Sequence, residues 1–238
     1  KMPQMRLDKL LSHLNCGSRK EVQALIRAGR VSVDGTVQKD PAFKVDPDRS
    51  QTAVDGTVQR YRAQRYYMLN KPMGVITASR DERHDTVLEL FPAELRRGLF
   101  AVGRLDKDTE GLLLLTDDGP LGHALLSPKR HVDKVYLARV DGVVDQSDVE
   151  ALARGMVLGD GLHCLPAGLE PLEDGRVCLV TLREGKYHQV KRMMAARGKP
   201  VTYLKRLSMG PLRLDAALAP GEWRPLTREE VLSLSRFG

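Results

Sequence analysis

The sequence predicts an α+β protein, a small unit of two helices and a hairpin followed by a larger domain on a mixed, mostly antiparallel sheet. Three observations carry this. Apolar residues recur at helical spacing near the start, β-rich runs dominate from residue 65 onward with helical segments interleaved irregularly, and no repeating strand–helix–strand unit appears. At 238 residues and 42% apolar, the chain can bury a core in one large domain or two small ones.

From Arg6 onward, Leu7, Leu10, Leu11 and Leu14 fall at i, i+3, i+4 and i+7, one face of a helix. A second helix starts at Ser18, whose hydroxyl can cap while Glu21 reaches back to the cap N–H, and it buries Val22, Leu25 and Ile26. "GRVSVDGTV" (29–37) reads as a glycine stop, a strand, an Asp34-Gly35 turn and a return strand, because Asp-Gly favours the positive φ of a tight hairpin. Residues 46–64 are polar and read as the hairpin's edge and then a linker, with a boundary near 60–65. The expected domains are 5–60 and 65–238. Beyond the boundary, "RYYMLNKPMGVIT" (65–77) is a strand stopped by a Lys-Pro turn, "KVYLARV" (134–140) and "VCLVTLREG" (177–185) are further strands, and helices are expected over 146–154 and 188–197. Lys1 ahead of Met2 reads as a processing remnant, so residues 1–4 are expected to stand outside the fold. No internal repeat and no low-complexity segment is evident.

With 38 Lys and Arg against 31 Asp and Glu, the formal net charge is +7, which makes a polyanion the first partner to consider, against a merely solubilising excess. Cys16, Cys164 and Cys178 are odd in number and show no C-x-x-C spacing, so neither a disulfide framework nor a zinc site is expected. No apolar run approaches the roughly 20 residues that span a bilayer, and no signal-peptide core follows the first residues. A cytoplasmic protein that engages no membrane is expected.

"GRLDKDTEGLLLLTDDG" (103–119) places five carboxylates around four leucines. Asp106-x-Asp108-x-Glu110-Gly111 matches the opening half of a calcium loop, but position nine is Leu114, position twelve is Asp117 rather than Glu, and no amphipathic helix enters. A second reading is structural: "GLLLLT" is a short buried strand whose flanking carboxylates bond local backbone N–H groups. The third makes one carboxylate, Asp106, a nucleophile or general base in a segment that excludes water. Such a group needs a nearby cation to stay ionised, since burial alone raises a carboxyl pKa.

Residues 6–35, through "RLDKLL" and "SRKEVQALIRAGRVSVDG", resemble the S4 RNA-binding module. That likeness turns Arg6, Lys9, Arg19, Lys20, Arg27 and Arg30, which lie off the apolar stripes, from an ordinary solvated face into an expected RNA-binding surface. Residues 103–119 resemble the signature G-R-L-D-x-x-T-x-G-L-[LV]-[LI]-[LM]-T-x-D-G of the RsuA-type pseudouridine synthases. Residues 65–77, "EGKYHQVKRMMAARGKPV" (184–201) and "LAPGEWRPLT" (218–227) resemble other stretches of that family.

The resemblance implies isomerisation of a uridine in rRNA to pseudouridine, with no metal, redox cofactor or second substrate. It places the catalytic aspartate on Asp106, the active-site tyrosine on Tyr136 and the basic partner of the aspartate on Lys191, with Arg192 as the second candidate. Arg104, two residues before Asp106, would hold a substrate phosphate or help flip the base. His188 is given no catalytic role, Asp108 and Glu110 are expected to shape and solvate the active-site loop, and Asp117 and Asp118 to close a turn. The motifs look closest to the small-subunit members, which modify uridine 516 of 16S rRNA in the usual rRNA numbering; large-subunit relatives acting on 23S rRNA share the catalytic motif. The partner implied is rRNA, 16S above all, or a ribosomal subunit assembly intermediate, and the default state is a monomer. A binding or assembly factor that has lost its chemistry is the reading from another class. Affinity that falls steeply with salt is expected of the S4 surface.

Overall fold

Local chemistry decides where the first elements begin and end. The computed structural model describes residues 4–14, 16–47, 49–59, 64–79, 81–127, 130–172, 174–234 and 236. The chain forms two units, Lys1–Gln64 and Arg65–Gly238. In the first, β1 (Met5–Arg6) leads into α1 (Leu7–His13), and α2 (Arg19–Arg27) opens at Ser18 with both halves of the expected capping box in place. Then come β2 (Val31–Val33), β3 (Thr36–Gln38), β4 (Lys44–Val45), β5 (Thr52–Val54) and β6 (Thr57–Gln59). Leu7, Leu10, Leu11, Val22, Ile26, Val31 and Val33 close a core, while Leu25 is only half-buried at its margin.

Residues 46–64 are not the expected linker. They carry a second hairpin, β5 and β6, which joins the first in a four-stranded antiparallel sheet ordered β3-β2-β5-β6. Each turn needs positive φ at two successive residues, and Asp-Gly supplies it twice, at Asp34-Gly35 and Asp55-Gly56. The repeat expected to be absent is therefore present: "VDGTVQ" stands at 33–38 and again at 54–59. The expected domain boundary falls largely on 60–63, outside the described residues.

In the second unit the order is β7 (Tyr66–Lys71), a 3-10 turn (Val87–Leu90), α3 (Ala93–Arg96), β8 (Phe100–Val102), β9 (Glu110–Thr116), α4 (Gly119–Leu126), β10 (Lys134–Val140) and α5 (Gln146–Ala153). It continues with β11 (Met156–Val157), β12 (His163–Cys164), β13 (Gly168–Leu172), β14 (Val177–Leu182), α6 (Gln189–Ala196), β15 (Val201–Met209), β16 (Leu212–Arg213), β17 (Trp223–Pro225) and α7 (Arg228–Leu234). The main sheet runs β13-β14-β10-β15-β9-β7-β17, with β16 on β15 and β8 on β9; every pairing is antiparallel except β15 with β9. This is the expected α+β architecture.

The four leucines are explained by a strand buried on both faces. Leu113 and Leu115 enter the larger core with Leu69, Val180 and Met193, while Leu112 and Leu114 enter the core on the opposite face with Met68, Leu121 and Met209. Alternation along a strand puts successive side chains on opposite faces, so a doubly covered strand reads as a continuous apolar run. Gly111, at φ 105°, is where β9 meets β15: a Cβ there would lie 2.2 Å from the Arg206 carbonyl oxygen, so only glycine permits the approach.

Candidate active site

The segment 103–109 connects β8 to β9, which pair antiparallel, and Asp106 sits at its middle. The end of β7 and the loop that follows it hold this connection. Thr77 Oγ1 donates to the Leu105 carbonyl (2.8 Å) and accepts from the Leu105 N–H (3.0 Å). The Gly74 N–H donates to the Lys107 carbonyl at 2.9 Å. The fully buried Lys71 ammonium donates to the carbonyls of Pro72 and Thr109, each at 2.9 Å, and of Lys107 at 3.5 Å. Burial pulls the Lys71 pKa down from 10.5 to about 8 against the opposing pull of Asp108, Asp106 and Glu110. Backbone on both sides of Asp106 is thus clamped.

The side chain of Asp106 meets cations from α6. Lys191 Nζ lies 3.0 Å from Asp106 Oδ2 and 2.5 Å from Asp108 Oδ1, and His188 Nε2 lies 3.5 Å from Asp106 Oδ1. Burial by itself lowers the Lys191 pKa, but its bonds to Asp108 and Asp106 outweigh this and leave it raised; the same bond to Lys191 lowers that of Asp108. The helix begins one residue later than expected, with His188 as its cap at φ 50°, and Val190, Met193 and Met194 turn into the core while Lys191 faces the connection. Arg192 does not reach Asp106: its guanidinium is 2.5 Å from Asp160.

Asp106, Asp108 and His188 border a cavity of about 740 Å³. Its walls include the exposed Arg104, the buried Tyr136 on β10, and apolar Leu182, Leu204 and Met209. Two buried cations also line it. Lys134 has its pKa lowered by burial and by the neighbouring Arg206 charge, and Arg206 donates Nε to the Leu112 carbonyl at 2.7 Å while its Nη2 has no partner among the described residues. A carboxylate that is paired with a cation and lines the same cavity as an aromatic ring can act as a nucleophile toward a group bound there.

Of the residues singled out in the sequence, the structure brings Arg104, Asp106, Asp108 and Tyr136 to one cavity, and Lys191 joins them through its pairs with Asp106 and Asp108 rather than by lining it. Asp108 does more than shape the loop, since it shares Lys191, and Glu110 accepts from the Tyr203 hydroxyl at 2.6 Å. Asp118 caps α4 through the Leu121 N–H, as a turn carboxylate would, but Asp117 receives the backbone N–H and guanidinium of Arg65, far away in sequence. Sequence reasoning assigned no role to Lys71, Thr77, Lys134 and Arg206, a lysine closing an apolar strand at 71 being the one visible signal, while His188, given no catalytic role there, lies against Asp106. Among the described residues no group of three or more His, Cys, Asp or Glu is placed to hold a metal ion.

In the first unit, Lys9, Arg19, Lys20, Arg27 and Arg30 are exposed. Arg6 and Arg30 are already engaged, Arg6 with Asp8 at 2.8 Å and Arg30 with Asp55 at 2.5 Å. Among the described residues, no helix is long and apolar enough to cross a membrane.

Comparison with known proteins shows the family. Residues 65–196 match the RNA pseudouridylate synthase family and residues 5–49 the S4 domain. An uncharacterized RNA pseudouridine synthase of Bacillus subtilis is 49% identical, over 95% of this chain and 97% of its own length. Ribosomal small subunit pseudouridine synthase A is 44% identical in Pseudomonas aeruginosa and 43% in Escherichia coli K12, each over 97% of this chain and all of the relative. A crystal structure of a pseudouridylate synthase superposes with a TM-score of 0.71 at 36% identity, covering 97% of this chain and 99% of that one.

Proposed function

The chain belongs to the RNA pseudouridylate synthase family, and from that premise we propose that it isomerises uridine 516 of 16S rRNA to pseudouridine with Asp106 as nucleophile. The observation that carries this reading is that Asp106, paired with Lys191, lines a cavity together with Tyr136. The reaction breaks the bond between uracil N1 and the ribose C1′, turns the base and joins C5 to C1′, while C5 gives up its proton and N1 takes one up, so that the product is an isomer of the substrate. Asp106 forms the transient bond, to sugar or to base, and Lys191, 3.0 Å from its Oδ2, holds the carboxylate in place until it attacks. Tyr136 stacks on the detached uracil and accepts the C5 proton. Apolar Leu182, Leu204 and Met209 retain the free base, and Arg104 at the rim holds a substrate phosphate or helps to turn the nucleotide out of its helix.

Extruding a stacked uridine costs a few kcal/mol. The S4 surface, through Lys9, Arg19, Lys20 and Arg27, contributes binding energy from non-reacting parts of the substrate, which is then available to offset this cost. The substrate is 16S rRNA or a small-subunit assembly intermediate, met in the cytoplasm by a monomer.

Incubation of the protein and of Asp106→Ala with unmodified 16S and 23S transcripts, followed by carbodiimide treatment and primer extension, tests the reading. A stop at uridine 516 with the wild type alone is expected. A stop in 23S instead reassigns the target, equal stops with both proteins remove Asp106 as nucleophile, and none with either leaves an RNA-binding assembly factor.

A further inference from the structure

An aromatic ring stands out at the rim of the cavity. Tyr187 is 74% exposed, the most exposed large apolar or aromatic side chain among the described residues. It is not loose. Its ring stacks on His188 with centroids 3.8 Å apart and planes inclined by 18°. His188 in turn lies 3.5 Å from Asp106 Oδ1, and both rings line the cavity. The residues on either side are anchored: the Lys186 ammonium donates to the His163 carbonyl and sits 3.2 Å from Glu184, and the buried Gln189 side chain receives the Lys186 N–H at 3.0 Å and donates to Glu184 at 2.7 Å. His188 is held in the left-handed region, at φ 50°, a conformation that strains a non-glycine residue and persists only where the surroundings enforce it.

The result is a two-ring stack that starts beside the Asp106 carboxylate and ends in a bare tyrosine face. An aromatic face held rigid and left in water is the platform on which single-stranded nucleic acid stacks, because every base presents a π-face. When a uridine leaves its helix for the cavity, the neighbouring base loses a stacking partner at this rim. We propose that the free face of Tyr187 takes that base, so that the Tyr187–His188 stack replaces the contact broken by extrusion. The partner is a nucleobase immediately flanking the modified uridine. This rests on the proposed reaction of an RNA uridine at Asp106.

The test uses the full chain and an RNA hairpin spanning the uridine mapped by primer extension, with affinity and kcat/KM measured separately. Tyr187→Ala should lower both by roughly tenfold, the scale of one base stacked on one aromatic ring. Tyr187→Phe and Tyr187→Trp should stay within about twofold of the wild type, since the ring and not the hydroxyl makes the contact. An abasic residue on one side of the uridine should weaken the wild type to the level of Tyr187→Ala and leave Tyr187→Ala unchanged. Equal values for the wild type and Tyr187→Ala on intact RNA overturn the proposal, as does a Tyr187→Phe loss as large as that of Tyr187→Ala, or abasic losses that add to it. A wild type that binds RNA but forms no pseudouridine removes the proposed reaction, and the affinity ratios then still judge the stack. Unchanged thermal melting of Tyr187→Ala is expected from the exposure of the side chain.

Discussion

Lys191 Nζ stands 3.0 Å from Asp106 Oδ2 across a separation of 85 residues in sequence. The same ammonium also reaches Asp108 Oδ1, so one cation balances two carboxylates on one connection. Removing the cation leaves the partly buried Asp106 without the ammonium bonded to it, whereas removing Asp108 leaves Asp106 with an undivided partner. Lys191→Met should therefore lower kcat by about a hundredfold or more, and Asp108→Asn by less than about tenfold, with RNA affinity nearly unchanged in both. Release of tritium from RNA carrying 5-tritiated uridine reads this directly, because C5 loses its hydrogen as the new bond forms. Equal losses in the two variants would mean that Asp106 and Asp108 are equivalent.

Lys71 acts on the same connection from the other side. Its ammonium holds the carbonyls flanking Asp108, and burial has drawn its pKa down to about 8. The unfolded chain keeps the proton to about 10.5, so between pH 8 and 10.5 it binds more protons than the folded chain, and this group's contribution to stability rises with pH across that window. Denaturation of the wild type and Lys71→Met should show the wild type gaining relative to the variant by up to about 3 kcal/mol from pH 8 to 10.5. A difference that stays flat over this range would mean that the ammonium is not destabilised by burial. Lys71→Met should also lower kcat more than it raises KM, since the residue positions Asp106 without touching RNA.

Much of this was legible in the sequence, for reasons that differ by residue. Ser18 with Glu21, Asp34 with Gly35, and the leucines of α1 act over a few residues, so local chemistry alone announces them. Asp106, Tyr136 and Lys191 came from the resemblance, because nothing in their own neighbourhoods points to a common cavity. What escaped depends on distant chain segments. The roles of Lys71 and Thr77 exist only because β7 and its continuation run beneath 103–109, and Arg65 finds Asp117 only through the pairing of β7 with β9. The second hairpin was readable in principle from the repeated "VDGTVQ", but its short polar strands lack the apolar alternation that marks a strand.

The basic face of the first unit separates free cations from engaged ones. Lys9, Lys20 and Arg27 are exposed and have no ion pair among the described residues, while Arg30 is held by Asp55. Each phosphate contact adds about 0.7 to 0.9 to the slope of log affinity against log salt. Replacing Lys9, Lys20 and Arg27 together by alanine should flatten that slope by about 2, whereas Arg30→Ala alone should change it by less than one contact's worth. Filter binding to the 16S transcript between low and physiological salt measures it, and an unaltered slope in the triple variant would place the phosphate contacts elsewhere.

Arg6 serves the fold through Asp8, whose side chain is fully buried at the start of α1. The Arg6 guanidinium donates to both carboxylate oxygens, at 3.0 and 2.8 Å, and the Gln23 side-chain amide adds a third bond at 2.9 Å from α2. The Arg6 bonds, opposed by burial and assisted by Gln23, push the Asp8 pKa from 3.8 down to about 2. A depressed carboxyl pKa contributes stability that is fully present above about pH 4 and is lost as the pH falls through about 2, because the unfolded chain takes up the proton first. Asp8→Asn should therefore cost the first unit about 2 kcal/mol at pH 7, and that deficit should shrink steadily between pH 4 and 2. Hydrogen-exchange protection of the α1 and α2 amides in the full chain reports on this unit by itself. A deficit that persists undiminished at pH 2 would show that Asp8 holds α1 to α2 through shape and hydrogen bonding rather than through its charge.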